Sequence, residues 1–122
     1  MKYLILMILG LSTACTAFNP DNAIAYEALP EYAIYWQETE NCSGLHGRLN
    51  AINWFMIPGR YFIDDRGNKA VGLWRSDGNI YIAEPYIDAP HVIRHEMLHA
   101  LINHPGHGGL IWDACYNLVS PW

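Results

Sequence analysis

The residues His95-Glu96-Met97-Leu98-His99 carry the clearest chemistry in this chain. Two histidines four apart, with a glutamate directly after the first, form the H-E-x-x-H pattern, in which both imidazoles hold zinc and the carboxylate acts as general base. On a helix, positions i and i+4 share one face, roughly 5–6 Å apart at Cβ. Both rings can then reach one ion, at Zn–N bonds of about 2.0–2.1 Å. Glu96 falls on the neighbouring flank, where a carboxylate can take a proton from water without being a ligand.

A catalytic zinc takes three protein ligands and keeps one position open, so the pair needs a third. Five of the six histidines lie between residues 91 and 107, the other being His46. The extended form of the pattern places Gly three and His six residues after the second histidine. Ile102 and Pro105 occupy those places, which excludes it. The remaining choices are His104, His107 and Asp113. His104 sits at the helix end, directed away from the His95/His99 face, whereas the break at Pro105-Gly106 lets the chain fold back and bring His107 over the metal. His107 is the favoured ligand, with His104 and Asp113 open as alternatives. His91 belongs to the rim, Arg94 to a surface ion pair, and Trp36, Trp54, Trp74 and Trp112 to the core. Tyr81 and Tyr86 are the hydroxyls available to steady an oxyanion.

The elements that must position these groups follow from periodicity and turn chemistry. Pro30 suits a first helical turn; Tyr32, Tyr35, Trp36 and Thr39 make one face, and Cys42-Ser43-Gly44 ends the helix, giving a helix over about 30–41. Residues 51–57 are strand formers that stop at Pro58-Gly59, and Tyr61-Phe62-Ile63 reads as a short second strand or a bulged continuation of the first. Residues 64–69 are a turn. Val71–Trp74 and Ile80–Ala83 flank Asp77-Gly78, a strong hairpin signal. Asp88 is placed to cap, and Pro90 to open, a helix over 90–103. Its apolar residues spread around most of the circumference, so it is buried. With His95 and His99 in the polar remainder, the metal face is cut into that helix, because two unpaired imidazoles among apolar neighbours cost free energy. Leu110–Val119 is a short closing helix. The fold class expected is α+β: a small antiparallel or mixed sheet, the buried metal helix and the short C-terminal helix.

The chain opens with a charged start, an apolar run over Leu4–Leu11 and Ser12-Thr13-Ala14-Cys15, the outline of an export signal over 1–14. The run is too short to span a membrane, which takes about 20 apolar residues. Small residues before Cys15 resemble a lipobox, so Cys15 is the expected lipidated N-terminus, with cleavage near Ala14 or Ala17 as the alternative. Residues 15–29 read as a tether and 30–122 as the folded domain. Without the first 14 residues, six Lys/Arg face twelve Asp/Glu, a net charge of −6. No basic run is present, which argues against a nucleic-acid partner. So small a body tends to need a staple. In an oxidising compartment Cys42 and Cys115, far apart in sequence, are the natural pair.

Cys42-Ser43-Gly44, the run Trp54–Gly59, Arg94–Leu101 and Gly106-His107 with a late Cys115 resemble a group of small, uncharacterised bacterial lipoproteins that look like minimal zincin-type metallopeptidases. The likeness covers most of residues 30–116 and is specific at the metal helix. It implies His95, His99 and His107 as zinc ligands and Glu96 as catalyst. It also implies a cleft-edge strand antiparallel to bound peptide, a role for which Ile80–Ala83 is positioned. The reading is therefore an exported, lipid-anchored, monomeric zinc peptidase acting on peptide or protein. Its rivals are a noncatalytic metal-stabilised envelope module and a metal hydrolase of cell-wall or other amides.

Overall fold

The computed structural model describes residue 20 and residues 22–120; the apolar run Leu4–Leu11 and Cys15 lie outside that range. Among the described residues six strands and three α-helices follow in the order β1 (Ile24–Tyr26), α1 (Glu31–Ser43), β2 (Asn53–Ile57), β3 (Phe62–Ile63), β4 (Lys69–Ala70), β5 (Gly72–Trp74), β6 (Asn79–Ala83), α2 (Pro90–Ile102) and α3 (Leu110–Val119). The class is α+β, as expected. The main sheet runs β1-β2-β6-β5, and β3 with β4 forms a separate two-stranded ribbon. β2 and β6 are parallel, while β1 and β5 pair antiparallel at the two edges. No helix among the described residues is long and apolar enough to cross a membrane.

Side-chain alternation along β6 explains the layering. Ile80 and Ile82 point to one face, where they join Tyr32, Trp36, Trp54, Ile93 and Met97 in the core under α1 and α2. Tyr81 and Ala83 point to the other, where the ribbon covers them with Phe62. The run Ile80–Ala83, apolar at every position, is thus buried on both faces and paired on both edges. Ile80–Ala83 is accordingly not the cleft edge that the sequence implied; β5 takes that place, beside α2. At the β5–β6 turn, Gly78 adopts a φ of 89°, a conformation open to glycine at no steric cost.

Three further expectations change. Ile24–Tyr26, read as tether, pairs with Trp54–Met56 and belongs to the sheet; the tyrosine supplies the reason, since Tyr26 packs against Tyr32 and Trp54. Asp88 does not cap α2, whose preceding residue Ala89 makes no side-chain cap; it instead accepts a hydrogen bond from Tyr35 Oη at 3.2 Å. Arg94 is not a surface residue. It is buried, donating from Nε to the Leu118 carbonyl at 2.9 Å and from Nη1 to Glu38 at 3.0 Å. It therefore joins α2 to both other helices.

Cys42 and Cys115 form a disulfide, with Cα atoms 5.2 Å apart, tying the last turn of α1 to the middle of α3. Leu98, Trp112, Cys115 and Val119 make a small core around it. The bridge is consistent with an oxidising location.

Arg94→Ala should destabilise the fold by about 2–3 kcal/mol, since hydrogen bonds from a charged group are lost and the Leu118 carbonyl loses its donor. Urea unfolding measures it; a loss under about 0.5 kcal/mol would show that the strut contributes nothing beyond an exposed ion pair.

Candidate metal centre

α2 places His95 and His99 one turn apart with Glu96 directly after the first, and all three are buried. The helix stops at Ile102 because Asn103 turns left-handed, with a φ of 59°. Asparagine is among the few side chains that tolerate this region. Past it, Pro105-Gly106 reverses the chain and His107 comes back over the open side of the helix. The Nε2 atom of His107 lies 3.1 Å from that of His95 and 3.0 Å from that of His99. Among the described residues these three form the one group of potential ligands close enough to hold a single metal ion.

The outer nitrogens decide the protonation. His95 Nδ1 faces the Val119 carbonyl at 3.2 Å and His99 Nδ1 faces the His104 carbonyl at 2.9 Å. A carbonyl only accepts, so each Nδ1 carries a proton and each Nε2, in the neutral ring, presents a lone pair. His107 Nε2 has at most one proton to give and meets two acceptors. The imidazoles therefore cannot satisfy one another, but they suit a cation. Nitrogens bound tetrahedrally at zinc distances would lie roughly 3.4 Å apart, within a few tenths of an ångström of the two separations from His107, and the three ligand atoms all lie within 4.8 Å of one another. Burial pushes His95 down to about 3, with His99 beside it as a second cause, and His99 down to about 4. Both rings are neutral, the ligand form, at ordinary pH.

His104 and Asp113 do not join the cluster. His104 turns its Nδ1 onto the Gly106 N–H at 2.9 Å and contributes through its carbonyl instead. Asp113 is exposed on α3 and lines a smaller cavity of about 410 Å³ behind His95 and His107. His91 is exposed and lines neither cavity. Tyr81 is buried on the far face of the sheet, stacked on Phe55, whereas Tyr86 does line the cleft that opens on the histidines.

That cleft, about 930 Å³, lies between α2, β5 and the β3–β4 ribbon. Glu96 faces it and is pressed against β5: a Cβ on Gly72 would meet its carboxylate at 2.9 Å. Burial raises its pKa to about 8, and the Trp74 backbone N–H acts the other way. Sequence reasoning missed Gly72, and it took Trp74 and Trp112 for simple core. Trp74 stacks on His99 at an interplanar angle of 12°. Trp112 has its ring centre 4.8–5.0 Å from all three imidazoles. Only the helical spacing of Trp112, Cys115 and Val119 on one face hinted that α3 would back the site.

The chain matches no family model, and comparison with curated proteins and with solved structures finds no match.

His107→Ala should weaken zinc binding by about a hundredfold or more, and His104→Ala by under about tenfold, because only the His104 main chain supports the cluster. Competition with a chromogenic chelator reads both; the reverse order would transfer the third ligand to His104. Metal-free protein should also be most stable near pH 6.5. The two histidines have folded pKa values below their ordinary 6.5, so stability present above that pH is lost as pH falls toward 4. Glu96 has a folded value above its ordinary 4.5, so stability present at low pH is lost as pH rises toward 8. With two protons on one side and one on the other, urea unfolding in chelator should trace a maximum. A monotonic profile between pH 4.5 and 8 would contradict this.

Proposed function

We propose that this protein is a zinc-dependent peptidase of zincin-like architecture, exported and anchored through lipidated Cys15. One observation carries the reading above the others. The Nε2 atom of His107 lies 3.0–3.1 Å from those of His95 and His99, and ligand atoms of the three rings all lie within 4.8 Å of one another, beside a buried carboxylate and on an open cleft. Three ligands and an open approach are the arrangement of catalytic zinc; a structural site closes with four. His104 and Asp113 stand apart from the cluster, which disfavours the noncatalytic rival.

Zinc held by His95, His99 and His107 would supply Lewis acidity, acidifying a water and polarising a carbonyl oxygen. Glu96 then accepts a proton from the attacking water and delivers it to the leaving amine. A carboxyl held near neutrality by burial suits both directions of transfer. The edge of β5 orients the substrate. Ala83 N–H donates to the Val71 carbonyl and Arg75 N–H to that of Asn79, so by antiparallel alternation the backbone groups of Gly72 and Trp74 face outward. Trp74 spends its N–H on Glu96, and the outward groups of Gly72 remain to pair with an extended peptide. A linear peptide laid along this edge passes beside Glu96, which favours peptides over cell-wall amides.

Glu96→Gln should keep its zinc and its fold while losing about 10²–10⁴-fold in peptide hydrolysis. Digestion of a peptide library by both proteins, with zinc content measured in parallel, tests it. Equal cleavage would remove Glu96 from the mechanism, and no cleavage by either protein would refute the peptidase reading.

A further inference from the structure

The charge on this protein is unevenly placed. Seven Lys/Arg stand against twelve Asp/Glu in the full chain. Four of the seven, Arg60, Arg66, Lys69 and Arg75, line the cleft that contains the histidines, while only three of the twelve acids do. Those three acids are already engaged. Glu96 lies against β5. Asp64 Oδ1 accepts the backbone N–H groups of Arg66 and Asn68, each at 2.9 Å, and so folds the β3–β4 turn. Asp65 pairs with Arg75 at 2.5 Å. Among the described residues no acid pairs with Arg60, Arg66 or Lys69. All three are exposed, and Lys69 is steadied above the Tyr61 ring at 4.6 Å.

We propose that the cleft selects polypeptide segments bearing acidic side chains, with Arg60, Arg66 and Lys69 as the groups that recognise them. The proposal rests on the peptidase reading in taking an extended peptide as the occupant. A peptide along β5 lies between α2 and the ribbon, so its outward side chains pass beneath these cations. The net negative charge of the protein also disfavours the approach of acidic ligands to the surface at large. A positive rim on that background steers such segments to the cleft and orients them there, a specificity built from charge rather than from a deep side-chain pocket.

The test uses three fluorescent peptides of equal length whose central residues are Glu, Gln or Lys. Their affinities are measured by anisotropy on the zinc-loaded Glu96→Gln protein, which binds without turning over. The Glu peptide should bind about tenfold more tightly than the Gln peptide, with the Lys peptide weakest. The preference should shrink as salt rises from about 0.05 to 0.5 M. Arg60→Glu with Arg66→Glu should abolish or reverse it, Arg60→Ala with Arg66→Ala should reduce it, and Arg48→Glu, outside the cleft, should leave it intact. Equal affinities, no binding of any peptide, or a preference untouched by the double reversal would overturn the proposal. Wild-type kcat/KM on the same peptides separates the two readings. Selective binding without cleavage removes the peptidase and keeps the selectivity. Cleavage of all three at one rate keeps the peptidase and removes the selectivity.

Discussion

Two imidazoles on one helix can be made to share a ligand only if their outer nitrogens are held. In this protein the Val119 and His104 carbonyls hold them, and that constraint governs much of the rest. It fixes which nitrogen carries the proton and so turns both lone pairs toward one point. It requires α2 to end where it does, since the carbonyl that orients His99 comes from the residue after the left-handed Asn103. It requires α3 to end against His95, because Val119 is the last residue of that helix. A pair of histidines on a buried helix would otherwise be a cost to the fold; held this way their lone pairs are turned to where, with His107, they could hold an ion.

The sheet serves the same geometry from the other side. β6 is buried among apolar residues on both faces and carries β5 at the edge, with Gly72 opposite Glu96. The close approach leaves no room for a side chain, so the carboxylate is confined between two elements that belong to one core. Arg94 and the disulfide then fasten the helices to one another at sites away from the cleft. The cross-links lie behind the imidazoles, while the ribbon on the cleft's other wall is short and pairs through two residues on each strand.

Much of this was legible in the residues. The spacing of His95 and His99, the apolar girth of the 90–103 helix, the Asp-Gly hairpin and the closing helix all depend on local periodicity, and local periodicity is what a sequence displays. His107 could be read because Pro105-Gly106 forces a reversal. What stayed hidden depends on pairing between distant segments. Ile80–Ala83 and Val71–Trp74 are both apolar runs, and nothing local says which becomes the edge; the continuous run is interior because β2 covers its far side. Ile24–Tyr26 carries no periodic signal, and only its partner strand makes it a strand. Arg94 looks like any helical arginine until Glu38 and the Leu118 carbonyl, from other helices, arrive around it. Trp112 is core by type, and its place against three imidazoles follows from where α3 lands.

The Cys42–Cys115 bridge has a consequence for how the site is maintained. α3 brings the Trp112 ring and the Val119 carbonyl to the imidazoles, and its attachment to α1 runs through that covalent link. Anything that loosens α3 also loosens the orientation of His95. By thermodynamic linkage the relation runs both ways: an ion that prefers the oriented imidazoles holds α3 in place, and with it the two sulfurs. Thiol redox state and ion occupancy are then coupled variables of one small assembly. Oxidised, loaded chains should be favoured together, and reduced, empty ones together, with the mixed species depleted.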